Sequence, residues 1–339
     1  MSTIVVTGGS GFIAAHCLVQ ALDAGHTVRT TVRSLAREAE VRAMVKAGGA
    51  SDEKLQVARA DLDSDAGWSD VIRGADFVLH VASPTLATAS TRVDDFVRPA
   101  REGVLRVLRA SRDHGVRRVV LTSAFGAVGY GHPNREAPFT ENDWTNLDDS
   151  VAPYQRSKTL AERAAWDFAQ QTPALELSVI NPVIVVGPLL GPDVGPSLQL
   201  PLRMLRGELR ACPRFAFPFV DVRDVAALHL LAMTRPEAKG ERFLASSGPA
   251  RSLLDIARIL HARLGPLAAK TPRREIPDWL MRVLALVRPD ARQLLPQLGK
   301  RLSASSAKAE RLLGWHARPV EDSLVDTAQS FVRFGVLSA

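Results

Sequence analysis

Short apolar, β-branched runs alternate with segments of helical periodicity through the first half of the chain. Six runs are predicted to be strands: Ile4–Thr7, Thr27–Val32, Leu55–Arg59, Phe77–Val81, Arg118–Leu121 and Leu177–Val179. Strands that alternate with helices favour a parallel sheet covered by helices on both faces. The pattern therefore predicts an α/β fold with a doubly wound parallel sheet.

The pattern changes after Pro188. A turn-rich stretch, Gly191–Ser197, interrupts the regular alternation. Beyond it we predict helices at Leu198–Arg206, Ala226–Met233, Leu253–Leu264, Pro277–Arg288, Ser303–Leu313 and Leu324–Phe334, with a short strand at Phe243–Ala245. We expect residues 1–187 to form one large domain, and residues 188–339 to form mainly a smaller α/β lobe, with some strands returning to the large domain.

The first predicted strand runs directly into the sequence Thr7-Gly8-Gly9-Ser10-Gly11-Phe12-Ile13. Gly8 lets the chain turn sharply, and Gly11 lets backbone N–H groups approach a pyrophosphate closely. The following helix N-terminus favours negative charge. This strand, glycine loop and helix predict a Rossmann-type dinucleotide-binding unit.

The end of the second strand indicates which dinucleotide is bound. Units that bind NAD usually place an acidic residue there, where it accepts hydrogen bonds from the ribose hydroxyls. Here the strand ends at Arg33, Arg37 follows one helical turn later, and no acid precedes Glu38. Because a guanidinium pairs well with a phosphate, the sequence favours NADP(H) over NAD(H).

Candidate chemistry lies in Tyr154-Gln155-Arg156-Ser157-Lys158, which a proline precedes as at a helix start. Residues four apart share one helix face. A nearby ammonium lowers the pKa of a phenol, so this pair predicts a proton donor for a carbonyl oxygen.

These motifs, together with Ala60-Asp61-Leu62, His80-Val81-Ala82-Ser83-Pro84 and Asn181–Pro188, occur in the order typical of one family. The chain resembles an extended short-chain dehydrogenase/reductase, in the dihydroflavonol-reductase-like and aldehyde-reductase branch. The resemblance runs from Thr3 to about Phe334.

The resemblance implies specific cofactor contacts along the chain. The pyrophosphate turn would include Thr7, Gly8, Gly11, Phe12 and Ile13. The 2′-phosphate would be bound by Arg33 and Arg37, and the adenine bracketed by Asp61 and Leu62. The nicotinamide ribose would lie against Val81, Ala82 and Ser83, with Tyr154 and Lys158 also in contact with the cofactor. The nicotinamide ring would be bordered by the segment from Pro182 to Val185.

One position departs from the family pattern. The family's proton-relay serine follows a Thr-Ser pair at the end of the fifth strand, and Ala124 stands at that position here. Strand alternation places the side chain of Ser123 on the opposite face and that of Thr122 on the same face, one pleat back. Either Thr122, Ser123 or a water orients the carbonyl, or the reaction lacks this donor.

Composition excludes little but agrees with a globular enzyme. The chain has 339 residues, 46% of them hydrophobic, and a net charge of +7 spread in short clusters. The sequence has no basic motif interleaved with aromatic residues, so it does not predict nucleic-acid binding. We expect no metal site, no disulfide, no membrane segment and a cytoplasmic location. We expect Cys17 to be buried, His16 to lie on a helix surface, and Asp221, Arg223 and Asp224 to link the two lobes.

Three function classes remain open. The leading hypothesis is an NADPH-dependent reductase of a hydrophobic ketone or aldehyde, acting reversibly as an alcohol dehydrogenase. The alternatives are a nucleotide-sugar epimerase or dehydratase and a non-catalytic NADP-sensing regulator. We expect a monomer or a homodimer, with a hydrophobic carbonyl or alcohol as the small-molecule substrate. The expected substrate-lining segments are Thr85–Arg92, Phe125–Trp144, Pro188–Pro201 and Phe215–Phe219.

Overall fold

A computed structural model describes residues 1–84, 94–148 and 151–338. Its strands are β1 Thr3–Val6, β2 Thr27–Val32, β3 Leu55–Arg59, β4 Phe77–His80, β5 Arg118–Thr122, β6 Glu176–Pro182, β7 Ile184–Val186, β8 Ala216–Phe217, β9 Phe219–Asp221, β10 Arg242–Ala245 and β11 Arg251–Ser252. Its helices are α1 Phe12–Asp23, α2 Glu38–Ala47, α3 Trp68–Ile72, α4 Asp94–Asp113, α5 Pro153–Gln170, α6 Gln199–Leu205, α7 Val222–Thr234, α8 Leu253–Leu264, α9 Asp278–Val287, α10 Pro289–Leu294, α11 Ala307–Leu313 and α12 Val320–Arg333.

The centre of the molecule is a seven-stranded parallel sheet in the order β10-β6-β5-β4-β1-β2-β3. The six predicted strands are β1 to β6: β2 and β3 have the predicted bounds, and the ends of the other four shift by up to three residues. The short strand predicted at Phe243–Ala245 is β10, which joins the sheet beside β6. The predicted Rossmann-type α/β fold is therefore confirmed.

Strand alternation sends side chains into two cores, one on each face of the sheet. Ile4 and Val6 of β1 pack in the core that includes α1 and α7, whereas Val5 packs in the core that includes α4 and α5. Because all strands of this sheet are parallel, their carboxyl ends meet at one edge, which is where ligands bind in such folds.

The C-terminal part adds two small sheets, β7 with β9 and β8 with β11. A third core forms there, largely from α6, α8 and α12. Asp221 caps α7 and pairs with Arg223, which also pairs with Asp326 of α12. Asp224 pairs with Arg318. These contacts support the structural interpretation of that acidic and basic cluster.

Several boundaries and one burial prediction differ from the sequence expectations. The helix expected to start at Ala226 begins at Val222, because the side chain of Asp221 accepts the N–H of Arg223 as a cap. His16 was expected on a helix surface, and this was wrong. It is buried, and its Nε2 lies 2.9 Å from the carbonyl oxygen of Pro188.

Cys17 is fully buried, as expected. The amphipathic helix α9 packs Met281 and Ala285 inward and leaves Trp279, Leu286 and Val287 largely exposed. None of the helices in the described ranges is long and apolar enough to span a membrane.

Candidate active site

The loop after β1 is shaped for close approach by a ligand. Gly8 has φ of +74°, which L side chains rarely adopt, and a Cβ there would lie 3.0 Å from the Cβ of Ala82. A Cβ on Gly11 would lie 3.2 Å from the carbonyl oxygen of Gly8. α1 begins at Phe12 without a side-chain cap, so its first N–H groups are not taken by a capping oxygen. This loop fits a dinucleotide pyrophosphate.

Side chains fix this loop to the neighbouring strand ends. Thr31 Oγ1 accepts the N–H of Gly8 at 2.9 Å, and Thr7 Oγ1 accepts the N–H of Ala82 at 2.9 Å. The loop after β1 is thereby held against the segment after β4. Ile13 and Phe12 both lie half-buried at the start of α1.

The two predicted phosphate-binding arginines differ in their surroundings. Arg33 is exposed and makes no hydrogen bond or ion pair with any residue that the structure describes. Arg37 donates twice to Glu40, from Nε at 2.8 Å and from Nη2 at 2.6 Å. Its Nη2 also lies 3.6 Å from Oδ2 of Asp193. Of the two arginines predicted to bind the 2′-phosphate, Arg37 is thus already paired with carboxylates and Arg33 is not.

The residues expected around the adenine and the ribose lie along the same sheet edge. Leu62 is buried, and Gly103 of α4 packs closely against it, since a Cβ on Gly103 would lie 3.1 Å from the Cβ of Leu62. Asp61 accepts the N–H of Asp63 in a short turn. Asp61 is only half-exposed, whereas Leu62 contributes mainly to packing under α4.

Tyr154 and Lys158 lie in the first two turns of α5, which starts at Pro153. Tyr154 is 41% exposed. A Cβ on Gly126 would lie 3.6 Å from Cε1 of Tyr154, so that glycine lies against the ring. Nothing in the described part of the chain hydrogen-bonds to the Tyr154 hydroxyl. The hydroxyl is therefore free to contact a ligand.

The pKa values of this pair differ from the sequence expectation. Although the Tyr154 residue is 41% exposed, the protein around its phenol excludes part of the water, and this desolvation raises the pKa of Tyr154 above its ordinary value, so the expected lowering by Lys158 is not found. Burial lowers the pKa of Lys158 to about 8, partly offset by the carboxylate of Glu162. Lys158 Nζ donates to Ser83 Oγ at 3.2 Å, which connects α5 to the end of β4.

A buried charged network lies behind Lys158. Glu162 is one turn further along α5 and its side chain is fully buried. Its carboxylate lies 2.8 Å from Nε of Arg242 on β10, and its Oε2 accepts the side-chain N–H of Asn181 at 2.7 Å. The Arg242 guanidinium stacks 3.8 Å over the Trp144 ring. Each buried charge here has an opposite charge or polar partner, as burial requires.

The side chains around the replaced serine point to different neighbours. His229 Nδ1 lies 2.7 Å from the carbonyl oxygen of Val225, to which it must donate. Burial lowers the pKa of His229 to about 4, so the ring is neutral and its Nε2 accepts. Thr122 Oγ1 therefore donates to that Nε2, at 2.7 Å. The hydroxyl proton of Thr122 is thus engaged with α7.

Ser123 lies on the other face, as strand alternation predicts. Together with Lys158, Glu162 and His80 it lines a small cavity of about 20 Å³. Among the described residues, the Ser123 hydroxyl and His80 Nε2 are buried without a hydrogen-bond partner. This volume and these polar atoms fit one ordered water.

Ala124 lies at the end of β5 with its side chain buried. Its carbonyl oxygen accepts a hydrogen bond from the side chain of Asn181 at 3.3 Å. Pro182 ends β6 and Val185 is buried in β7, so the segment expected beside the nicotinamide follows directly from Asn181.

The expected substrate-lining segments are only partly described. Thr85–Arg92 lies outside the described residues. In the others, Phe125, Phe139 and Phe219 are buried rather than facing a cleft, and Phe125 packs edge-on against Phe139. No cluster of three or more His, Cys, Asp or Glu side chains suited to a metal ion occurs in the described ranges.

Comparison with known proteins now gives this geometry a context. The family model described as "NAD dependent epimerase/dehydratase family" matches residues 4–245. The chain belongs to this family.

Among curated proteins, tetraketide alpha-pyrone reductase 2 of Arabidopsis thaliana is 37% identical over 254 residues, covering 73% of this chain and 78% of that protein. Dihydroflavonol 4-reductase of Hordeum vulgare is 32% identical over 268 residues, covering 77% and 74%. These relatives confirm the resemblance to the dihydroflavonol-reductase-like branch of the extended short-chain dehydrogenases/reductases.

Solved structures agree over the whole chain. Yeast methylglyoxal/isovaleraldehyde reductase Gre2, in complex with NADPH, superposes with a TM-score of 0.80 and 25% identity, covering 98% of this chain and 99% of that one. The NADPH complex of Gre2 from Candida albicans gives a TM-score of 0.81 with 26% identity, covering 98% and 99%.

Sequence reasoning missed Glu162, Arg242, Asn181 and His80 as parts of this site. The spacing of Glu162, four residues after Lys158, was a readable signal, because it places both on one helix face. His80 is a lone histidine at the end of an apolar strand. Arg242 gave no local signal, since its role depends on β10 returning to the sheet.

Proposed function

We propose that this protein is an NADPH-dependent reductase of a hydrophobic ketone or aldehyde, working reversibly as an alcohol dehydrogenase. The observation that carries the proposal is the start of α5, where an exposed tyrosine with a free hydroxyl precedes a partly buried lysine by four residues. The relatives named above are all reductases, and the Gre2 structures contain NADPH.

The cofactor assignment fits observations in this structure. Gly8 and Gly11 leave space that a Cβ would fill, beside the uncapped start of α1. Arg33 presents an exposed guanidinium at the end of β2, where a 2′-phosphate would bind, and no carboxylate is paired with it in the described residues. When bound, the cofactor supplies the hydride for the carbonyl carbon.

The chain's own residues supply the remaining steps. Tyr154 holds a proton at its hydroxyl, which its raised pKa keeps in place at neutral pH, and donates it to the carbonyl oxygen. Lys158 is held by Ser83 at the carboxyl end of β4, where it would bind the nicotinamide ribose. Ser123 and His80 face Lys158 across the small cavity, so we assign Ser123 to positioning Lys158.

Ala124 favours one competing function. Without the family's serine, the chain could bind NADP(H) as a regulator and turn nothing over. Thr122 does not fill the gap in this geometry, because its hydroxyl donates to His229. The two functions are separated by whether any carbonyl compound is reduced. The epimerase or dehydratase alternative has no specific observation in its favour.

The test is a panel of aryl ketones, aliphatic aldehydes and steroids, followed by the loss of NADPH absorbance. Tyr154→Phe is expected to lower kcat by about 10²–10⁴ while leaving NADPH affinity nearly unchanged, because it removes the general acid. Thr234→Val is the control, since it also removes one hydroxyl, at the exposed C-terminal end of α7. It should retain most of the turnover.

Two results would contradict the proposal. If Tyr154→Phe keeps more than half of the wild-type turnover on each active substrate, Tyr154 is not the proton donor. If NADPH binds but no member of the panel is reduced, the regulator becomes the better assignment.

A further inference from the structure

The cofactor pocket contains an acidic residue that the sequence around β2 does not reveal. Arg37 Nη2 lies 3.6 Å from Oδ2 of Asp193. Asp193 belongs to the turn-rich loop of residues 191–197, which follows β7 in the C-terminal half. The arginine expected to bind the 2′-phosphate thus already faces a carboxylate from the other part of the molecule.

The loop that carries Asp193 lies against α2, which follows Arg37, and against the first residue of α1. At one end, a Cβ on Gly191 would lie 3.2 Å from the terminal methyl of Met44 in α2. At the other end, a Cβ on Gly195 would lie 3.9 Å from the Cβ of Phe12, the first residue of α1. The loop therefore spans from α2, the helix that follows Arg37, to the start of α1 at the end of the pyrophosphate turn.

The charges near the 2′-phosphate position cancel. Arg33 and Arg37 contribute two positive charges, and Glu40 and Asp193 contribute two negative ones. Glu40 is on the same helix as Arg37 and holds it through two hydrogen bonds, which orients the guanidinium. Asp193 lies 3.6 Å from the Arg37 guanidinium, so it holds that cation mainly by its charge.

We propose that Asp193 is a cofactor-specificity residue, which lowers the preference for NADP(H) over NAD(H) by competing with the 2′-phosphate for Arg37. This inference rests on the proposed binding of NADP(H). A 2′-phosphate must share the Arg37 guanidinium with Asp193, whereas the bare 2′-hydroxyl of NAD(H) carries no charge and gains little from that guanidinium. Asp193 therefore opposes the binding of one cofactor and not of the other.

The test is the affinity of purified wild-type protein and of Asp193→Asn for NADPH and NADH, measured by fluorescence titration without substrate. At low ionic strength, Asp193→Asn should tighten NADPH binding by roughly three- to tenfold, because the Asp193 side chain is 65% exposed and its field is screened by water. NADH affinity should change by less than about twofold. Raising the salt concentration should shrink the gain.

Asp23→Asn is the control, since it removes the same charge at the far end of α1. That helix has 12 residues and is about 18 Å long, so the two variants are also compared at about 0.1 M salt, where the Debye length of about 10 Å screens Asp23 from the 2′-phosphate position. Repeating the measurement in the Arg37→Ala variant tests whether Asp193 acts through Arg37. In Arg37→Ala, the effect of Asp193→Asn should fall below about twofold, because there is no guanidinium left to compete for.

The outcomes are distinguishable. Unchanged NADPH affinity in Asp193→Asn, or an equal change for NADH, overturns the specificity role. A full gain that persists in Arg37→Ala overturns the competition for Arg37. If wild-type protein binds neither cofactor, the proposed function fails, independently of Asp193.

Discussion

The charged side chains at the two ends of the cofactor groove differ in their exposure to water. At the β2 end, Arg33, Arg37 and Asp193 are at least one-third exposed, and their charges act through water. At the β5 and α5 end, Glu162 and Arg242 are buried and paired at 2.8 Å. Removing one of the exposed charges should change cofactor affinity with little effect on stability. Removing one member of the buried pair leaves the other charge buried without a partner, which destabilises the fold.

The sharpest test of this comparison is the same substitution at each end. Glu162→Gln leaves Arg242 and Lys158 without the buried carboxylate and should destabilise the fold by about 3–5 kcal/mol. Glu40→Gln removes a half-buried partner of Arg37 at the surface and should change stability by less than about 1 kcal/mol. Urea unfolding measures both. Equal losses in the two variants would remove the contrast between the two ends.

The second prediction concerns the unpaired cation at the exposed end. Arg33→Ala should weaken NADPH binding by roughly ten- to hundredfold, the range of a charge-assisted hydrogen bond to phosphate, and should leave NADH affinity nearly unchanged. Arg258→Ala, on the exposed surface of α8, is the charge-matched control. Equal affinity of the wild type for both cofactors would argue against a 2′-phosphate site here.

A site residue could be predicted from the sequence when the residues it acts with are close to it in the chain. Glycine spacing, strand alternation and the Tyr154 and Lys158 spacing are local, and they predicted the sheet and the opposite faces of Thr122 and Ser123. Asp193 and Arg242 reach the site only after loops and β10 return to the sheet. Their pairing with Arg37 and Glu162 is a tertiary result that no short pattern contains.

The pH dependence of turnover should follow the titration of Lys158 at the buried end of the groove. Lys158 has a pKa lowered to about 8, so it is an ammonium below that pH and becomes neutral above it. Turnover that needs the ammonium should fall about tenfold per pH unit above 8. Tyr154, with its pKa raised, stays protonated over this range, and His80, with a pKa near 3, does not titrate there.

Lys158→Arg separates these groups, because a guanidinium keeps its charge at high pH. Its lower activity should show no decline near pH 8. A decline that is unchanged in Lys158→Arg would assign the titration to another group.

The pKa of Lys158 is lower in the folded protein than in the unfolded chain. Its contribution to the free energy of unfolding should therefore increase between about pH 8 and 10.4, where the unfolded chain holds more protons.

The smallest expected effect tests the one family position that this chain has changed. Ala124 is buried in extended backbone with φ of −161°, which any residue adopts, so Ala124→Ser should fold without strain. Removing a preorganised oxyanion donor costs about 10²–10³ in kcat, and a donor added to an unadapted site should recover a fraction of that, roughly three- to tenfold. Thr122→Val should leave kcat nearly unchanged and lower stability, because the Thr122 hydroxyl donates to the buried His229. A lower kcat in Thr122→Val at constant NADPH affinity would instead make Thr122 the substitute donor, and would require its bond to His229 to break during turnover.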